Sequence, residues 1–199
     1  MNRVTVSDTT IKIPVYPSGE AEKLPVFAEN RVHQRTSGAP YPNAVTADAR
    51  ISDVPEERTL RAVVIENDFI RVTILPELGG KICSAQDKTT GRDFFYRQHV
   101  IKPALIGLLG LWISGGIEFN WPTHHRPSTF LPTDVTIEEG EHESIVWLTS
   151  SDVFDRMLGS VGIALRDDRA YFETRVRLYN RTSERRSFLW WENAAVPAG

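Results

Sequence analysis

The sequence contains a single cysteine, Cys83, in 199 residues. An internal disulfide bond and a cysteine-based zinc cluster are therefore both excluded. Its neighbours Ile82 and Ala85 are apolar, which indicates a structural thiol rather than a nucleophile.

The sequence also lacks a basic excess and a long hydrophobic run, and we expect no signal peptide. The formal net charge is -3, so nucleic acid and anionic membranes are poor partners. The most apolar stretch, Pro103–Ile113, is too short and too rich in glycine to cross a bilayer. Residues 1–14 have no apolar core of the kind that signal peptides carry. We expect a cytoplasmic protein that binds neither nucleic acid nor membrane and needs no cofactor.

Turn residues, by contrast, are plentiful, with 12 prolines and 13 glycines spread along the chain. Between them lie short runs in which apolar and polar residues alternate, the period of a β-strand. Such runs recur with almost no helical period, which predicts an all-β fold, an antiparallel β-sandwich. The predicted strands are Thr5–Val15 at a sheet edge, two strands of a hairpin within Arg58–Leu75, Lys81–Asp87, Thr133–Glu138, Ser144–Ser150, Met157–Leu165, Ala170–Asn180 and Ser187–Asn193.

The predicted domain organisation has two parts. Residues 16–50 show little periodicity, so we expect residues 1–57 to form an extended N-terminal segment with one edge strand, packed on the domain. Residues 58–199 then form the β-sandwich domain.

The stretch Ser114–Phe130 carries an unusual density of different chemical groups. Gly115 and Gly116 permit positive φ angles or a close approach of backbones. After them, apolar residues alternate with Glu118 and Asn120, which puts the acid and the amide on one face of a strand. Pro122 ends this strand, so His124, His125 and Arg126 follow on a loop. This is either an ordinary polar turn with a solvent-facing Glu118, or a binding site.

Three segments resemble the galactose-mutarotase-like supersandwich family, also called aldose 1-epimerase-like. Val64–Tyr96, with strands around a glycine pair and a D-K-T-T-G turn, resembles the opening of that family's domain. Gly115-Gly116, followed by Trp121-Pro122 and a histidine–arginine pair, is similar to a run in hexose-phosphate mutarotases. Phe172–Asn193 resembles the strand pair that leads to the family's asparagine–histidine motif.

More narrowly, G-G-I-E-F-N-W-P, H-H-R-P and W-W-E-N-A-A-V-P are similar to an uncharacterised bacterial branch. In that branch the domain often precedes tetratricopeptide repeats. The family's catalytic glutamate comes later in a longer domain, so the resemblance implies either that this chain is the N-terminal portion of a supersandwich or that its site is completed differently. It also implies a sugar or glycan ligand. Asn193 is followed by Ala194 where the family has a histidine, so only half of the acid–base pair that mutarotation needs is nominated here.

The leading hypothesis is therefore a carbohydrate-binding domain, part of a glycan-active enzyme. As an epimerase it would use His125 as general acid, and as a glycosidase it would pair Glu118 with a second carboxylate, Glu192. The aromatic platform is Trp121, or Trp190 and Trp191, and the alternative for that last pair is one indole in the core and one on the open face. The nominated substrate-binding residues are Asn120, Trp121, His124, Arg126, Trp191 and Asn193.

Two other classes stay open. An unfinished sandwich exposes strand edges, so the domain is alternatively a non-catalytic interaction module that pairs with another copy or with a missing C-terminal half. A metal site is the third option. His124 and His125 are adjacent and point in opposite directions on an extended backbone, so we expect no metal.

Overall fold

The structure is a computed structural model that describes residues 3–21, 23–24, 26–27, 38–39, 45, 50–105, 110–122, 125, 127–152 and 156–197. Single 3₁₀ turns occur at Pro76–Leu78 and Pro127–Phe130. The strands of these described residues are β1 (Thr5–Val15), β2 (Val26–Phe27), β3 (Gly38–Ala39), β4 (Glu56–Glu66), β5 (Ile70–Leu75), β6 (Lys81–Asp87), β7 (Ala104–Leu105), β8 (Leu111–Trp112), β9 (Ile117–Asn120), β10 (Asp134–Glu139), β11 (Glu143–Ser151), β12 (Leu158–Arg166), β13 (Phe172–Tyr179) and β14 (Trp191–Ala194).

The larger sheet of the described residues has six strands in the order β1-β4-β5-β6-β9-β14. Strand β1 pairs with β4 along its whole length and lies at the edge, where Pro14 need not donate to a second neighbour. The predicted hairpin is β4–β5, and Asn67 closes its turn because its side-chain oxygen accepts hydrogen bonds from the backbone N–H groups of Phe69 and Ile70, both at 2.8 Å. This local bonding explains why the turn was predictable from sequence.

The smaller sheet is an antiparallel meander of four described strands, β10-β11-β12-β13. All four strands occur where alternation predicted them, within one or two residues at most ends. The last strand differs, because Ser187–Asn193 was predicted and β14 spans Trp191–Ala194 only. Before it, the N–H of Leu189 donates to the carbonyl of Pro122, so these residues follow the loop after β9 rather than a sheet ladder.

The main hydrophobic core lies between the two sheets. Both sheets contribute fully buried side chains to it, such as Ile74 and Phe119 from the larger and Val146 and Ile163 from the smaller. Burial of apolar surface is the dominant favourable term in folding, and a core shared by two antiparallel sheets is the arrangement of a β-sandwich. The predicted all-β sandwich is confirmed.

The face of the larger sheet that points away from this core, here called the outer face, is also covered. A second cluster of buried residues lies on it, including Ile13, Leu60 and Leu75 from the sheet with Ile101 and Ile113 from the chain that crosses over it. The outer face is thus apolar near β1 and becomes polar toward β6, β9 and β14. That change of character positions the candidate site.

The predicted N-terminal segment and the predicted domain boundary can be compared with the structure only where residues are described. Of the predicted extended segment 16–50, much lies outside them; the described part includes the short pair β2–β3 and a bridge between Ser18 and Ile51. The division at residues 57 and 58 stays a prediction. No helix in the described part of the chain is long and apolar enough to cross a membrane.

Candidate functional site

Two glycines bring β9 into the sheet. Gly115 and Gly116 have φ angles of 82° and 62°, in the left-handed region that favours glycine, as the sequence predicted. A Cβ atom on Gly116 would collide with the carbonyl oxygen of Ile82, so the close approach of β9 to β6 needs glycine at this position. Ile82 and Ile117 are then cross-strand partners.

Strand β9 places an acid on the outer face without exposing it to solvent. Ile117 and Phe119 point into the core, and Glu118 and Asn120 point the other way, as alternation predicted. Glu118 is nevertheless only 3% exposed and Asn120 is fully buried. Reading Glu118 as a solvent-facing strand acid is therefore wrong. The physical reason is that β9 lies between β6 and β14, and side chains from outside the sheet cover it.

The Glu118 carboxylate is held by four polar side chains of the described residues, which come from β8, from the segment after β9 and from β14. Its Oε1 atom accepts from the hydroxyl of Thr129 at 2.8 Å and lies 3.3 Å from Nδ1 of His125. Its Oε2 atom accepts from the indole N–H of Trp112 at 2.9 Å and from the amide of Asn193 at 3.2 Å. Four contacts occupy about as many positions as a carboxylate offers to donors.

These contacts decide the charge of Glu118. Burial by itself would raise the pKa of Glu118, because a low-dielectric environment disfavours the ionised form. The hydrogen bonds from Thr129, Trp112 and Asn193 and the nearby His125 outweigh burial, and the pKa is lowered. Glu118 is thus a buried anion at neutral pH, and it is better suited to orienting its neighbours than to donating a proton.

His125 is the part of this cluster that reaches solvent. Its side chain is 27% exposed, while the carboxylate behind it is buried. Two indoles flank the imidazole edge-on, Trp112 at a centroid distance of 6.4 Å and Trp191 at 6.0 Å. Contact with Glu118 through Nδ1 fixes the ring orientation, since a histidine is positioned by the hydrogen bond of one of its nitrogens.

Strand β14 supplies the other exposed members. Asn193 is the cross-strand partner of Glu118, and Trp191 is the partner of Asn120, so both lie on the outer face. Asn193 is exposed and Trp191 is half-buried. The structure therefore brings together four of the nominated residues: Glu118, His125, Trp191 and Asn193.

Other nominated residues lie elsewhere. Trp121 is 1% exposed and stacks on Trp190 at 5.5 Å on the core side of the sheet, so it presents no ring face to a ligand. Asn120 is fully buried beside Glu118 and cannot meet a sugar hydroxyl in this conformation. His124 and Arg126 lie outside the described residues. Trp190 packs against the core and Trp191 lies on the outer face. This is the alternative with one indole in the core and one on the open face.

The glycosidase pair is not formed. Glu192 is the cross-strand partner of Phe119 and therefore projects from the face opposite Glu118, because neighbouring residues of a strand alternate between faces. As for metals, no group of three or more histidine, cysteine, aspartate or glutamate side chains within the described ranges could hold an ion.

Two residues of the cluster, and a third residue beside it, were missed by sequence reasoning. Trp112 lies at the end of an apolar stretch and was counted as hydrophobic only. Thr129 lies in the 3₁₀ turn after the histidines, and a threonine in a turn gives no distinctive signal. Lys81 follows the Gly79-Gly80 pair; because Ile82 pairs with Ile117 in antiparallel register, it lies across from Glu118 on the outer face.

This chain is similar to a protein-family model and to a solved structure. A family model described as "Domain of unknown function (DUF5107)" matches residues 38–199. The crystal structure of a TPR-domain containing protein from Parabacteroides distasonis ATCC 8503 is similar to this chain, with a TM-score of 0.81 at 24% sequence identity. The match covers 98% of this chain and 32% of that one. At this level of identity the likeness shows the fold alone.

Proposed function

This chain belongs to the family described as "Domain of unknown function (DUF5107)", and on that premise we propose that it binds a carbohydrate through His125, Trp191 and Asn193. The observation that carries the proposal is the buried Glu118 carboxylate. It hydrogen-bonds two side chains that reach solvent, His125 at 3.3 Å and Asn193 at 3.2 Å. The oriented imidazole of His125 and amide of Asn193 can hydrogen-bond sugar hydroxyl groups, and the indole of Trp191 can contact the apolar face of a sugar ring.

The chemistry of the ligand follows from these groups. Sugars have an apolar ring face and hydroxyl groups with fixed directions, so a binding site needs an aromatic surface and a few oriented polar groups. Trp191 supplies the surface, and His125 and Asn193 supply the polar groups. Glu118 itself has its oxygens occupied by protein donors. We therefore assign it a positioning role in place of the direct sugar contact and the glycosidase role considered from the sequence.

The contact between Glu118 and His125 also favours a second, catalytic version of this proposal. An imidazole oriented by a buried carboxylate is a common general acid–base arrangement. It agrees with the resemblance to the galactose-mutarotase-like family, in which a histidine acts near the sugar ring. Residue 194 is alanine, so a second acid–base group would have to come from elsewhere in a longer chain. The TPR-domain neighbour, of which this chain spans about a third, is consistent with such a chain.

The proposal is tested by glycan-array screening followed by tryptophan-fluorescence titration with the sugar that binds. Trp112 and Trp191 lie against His125, so ligand binding should change the emission. We expect His125→Ala and Asn193→Ala each to weaken binding at least tenfold, about 1.4 kcal/mol, which is the size of one or two lost hydrogen bonds.

Glu192→Ala is the matched control. Glu192 is an exposed residue of the same strand on the opposite face, so its replacement should leave sugar affinity unchanged. If no sugar on the array binds the wild-type chain, or if Glu192→Ala weakens binding as much as His125→Ala, the proposal fails.

The interaction-module alternative has its own support in the structure. Strand β13 is at the edge of the smaller sheet, with Val176 and Tyr179 38% and 48% exposed. An exposed edge strand offers unpaired backbone groups to another chain. Concentration-dependent self-association that is lost when Val176 is replaced by lysine would favour this function over sugar binding.

A further inference from the structure

Strand β13 is a free edge of the smaller sheet. In the described part of the chain it pairs with β12 only. That pairing runs from Leu165 with Phe172 to Leu158 with Tyr179 without a bulge, and the strand contains no proline. Natural sheets protect their edges with prolines, bulges, charges or short strands, because an open edge presents unpaired N–H and C=O groups to other chains.

The other described edges of the two main sheets are protected in these ways. Strand β1 carries Pro14, and β14 has only four residues. Strand β10 has the sequence D-V-T-I-E-E, so its charges are all negative and repel a second copy of the same edge. The charges of β13 are of both signs. Among these edges β13 is therefore the one best suited to accept another strand.

The core side of β13 is incompletely covered. Val176 is the cross-strand partner of Val161, which is buried in the main core, yet Val176 itself is 38% exposed. Phe172 and Leu178 point to the same side and are only partly buried against the core. A strand added beside β13 would remove apolar surface of these three side chains from water, which favours association.

The charges on the other side of β13 are self-complementary. Glu173, Arg175 and Arg177 alternate with the core-side residues along the strand. When two copies of β13 pair antiparallel about a two-fold axis at Arg175, Glu173 of each copy faces Arg177 of the other. On the core side the same register places Phe172 opposite Leu178. Opposite charges and apolar side chains that face each other across two strands stabilise an antiparallel pair.

Arg175 faces its own copy at this axis, but its charge is already paired within each chain. Its guanidinium donates two hydrogen bonds to Glu143 of β11, both at 2.7 Å. An axis at Val176 would instead set Arg175 opposite Arg177, and like charges that face each other destabilise a strand pair. An axis at Thr174 would leave Arg177 without a facing acid. Charge complementarity therefore favours the axis at Arg175.

We propose that two copies of this chain pair through β13, antiparallel and with Arg175 at the two-fold axis, so that the smaller sheet continues from one copy into the other. Such a contact uses the same patch on both copies, as two-fold symmetric dimers do. The inference rests on the interaction-module function given above and names its partner as a second copy. The proposed sugar contacts lie on the outer face of the larger sheet, so the two proposals can fail separately.

The test is analytical ultracentrifugation of the full chain and of two charge-reversal variants, Glu173→Arg and Arg177→Glu. We expect the wild-type chain to show a reversible monomer–dimer equilibrium. Each variant alone sets like charges opposite each other twice in a dimer, and should weaken the dimer by about tenfold or more. An equimolar mixture of the two variants restores opposite charges at both places, so it should form a heterodimer with nearly the wild-type affinity.

Two controls keep other effects apart. Glu139→Arg reverses an exposed charge at the other edge of the same sheet and should leave dimerisation unchanged. His125→Ala should also leave it unchanged, so that failure of the sugar proposal gives a different result. Recovery of the dimer in the mixture requires that both charge-reversal variants are folded, which separates a lost contact from a lost fold.

Three outcomes would overturn the inference. The first is a wild-type chain that sediments as a monomer at every concentration. The second is a mixture of the two variants that associates no better than either variant alone. The third is self-association that Val176→Lys abolishes but that neither charge reversal weakens. In that case β13 accepts a partner in another register, and the interaction-module function survives without this dimer.

Discussion

The outer faces of the two sheets carry similar residues in opposite environments. On the larger sheet Lys81 and Glu118 lie under other parts of the chain, at 7% and 3% exposed. On the smaller sheet Glu143 pairs with Arg175 through two contacts of 2.7 Å in the presence of solvent. Each face belongs to antiparallel strands with alternating patterns, so the pattern alone does not distinguish them. What differs is whether a second layer of chain covers the polar residues.

That difference changes what the same chemical group does. Both glutamates have a lowered pKa, Glu143 because Arg175 hydrogen-bonds it and Glu118 because several donors outweigh its burial. The Glu143–Arg175 pair is half-buried, and because water and salt still reach it, its loss costs less than the loss of a fully buried carboxylate. A buried carboxylate holds its neighbours in place, and removal leaves their donors without partners. The covered face is therefore the one with a pre-ordered cluster.

The largest effect should come from Glu118→Ala, compared with Glu143→Ala. We expect Glu118→Ala to lower the free energy of unfolding by about 3 kcal/mol, because the buried hydroxyl of Thr129 and the half-buried indole N–H of Trp112 lose the carboxylate that accepts their hydrogen bonds. Glu143→Ala should cost under about 1 kcal/mol. Urea denaturation of the two variants measures both. If the two variants lose the same free energy of unfolding, then burial of Glu118 under other parts of the chain does not add to its contribution to stability.

Two glycines of β12 extend the comparison to the packing of the smaller sheet. A Cβ atom at Gly159 would overlap the indole of Trp121, which is locked in the core by Trp190. A Cβ at Gly162 would come within 2.8 Å of the ring of Trp147, whose outer cover at 3.7 Å is the half-exposed and flexible side chain of Arg177. We expect Gly159→Ala to cost about 2 kcal/mol and Gly162→Ala about half as much. Thermal denaturation ranks the two variants, and the reverse order would contradict this account.

The smallest effect concerns the pH dependence of stability through Lys81. Its pKa is about 8 in the folded chain, against 10.5 for an unperturbed lysine. Between these values the unfolded chain binds more protons than the folded one, so the free energy of unfolding should rise with pH across this window. We expect a rise of about 1–2 kcal/mol that Lys81→Met removes.

The Lys81 measurement needs one background substitution. Burial raises the pKa of the Cys83 thiol, which makes stability fall with pH in the same alkaline window. Both chains should therefore carry Cys83→Ala. A pH profile that is identical with and without Lys81 would show that this amine is as well solvated as an exposed one.

The fold was predictable because its signals are local. The β4–β5 turn depends on Asn67 bonding to backbone groups two and three residues ahead, and the meander β10–β13 depends on alternation and short turns. Gly115 and Gly116 indicated a left-handed backbone conformation, which few other residues adopt. The boundaries of β14 were less predictable, because Leu189 bonds to Pro122 from a distant part of the sequence.

The candidate site was predictable only in part, for a related reason. Alternation put Glu118 on the face away from the core, and Glu118 and His125 were both nominated as site residues, although no contact between them was predicted. Trp121 was nominated for its indole. The same alternation that places the Glu118 side chain on the outer face points the Trp121 side chain into the core. Trp112 and Thr129 were missed, because each reaches Glu118 from a segment that no local pattern connects to β9.

The sequence by itself determined the all-β class, the positions of most strands along the chain and the face of the strand to which their residues point. These features depend on periods of two and on turns of a few residues. The tertiary structure alone decided that the outer face of the larger sheet is covered, and therefore that Glu118 is a buried anion and Lys81 a buried amine. Burial depends on which distant segments pack over a strand. Solvation, and with it the pKa and the chemistry of a charged group, follows from that packing rather than from the neighbouring residues in the chain.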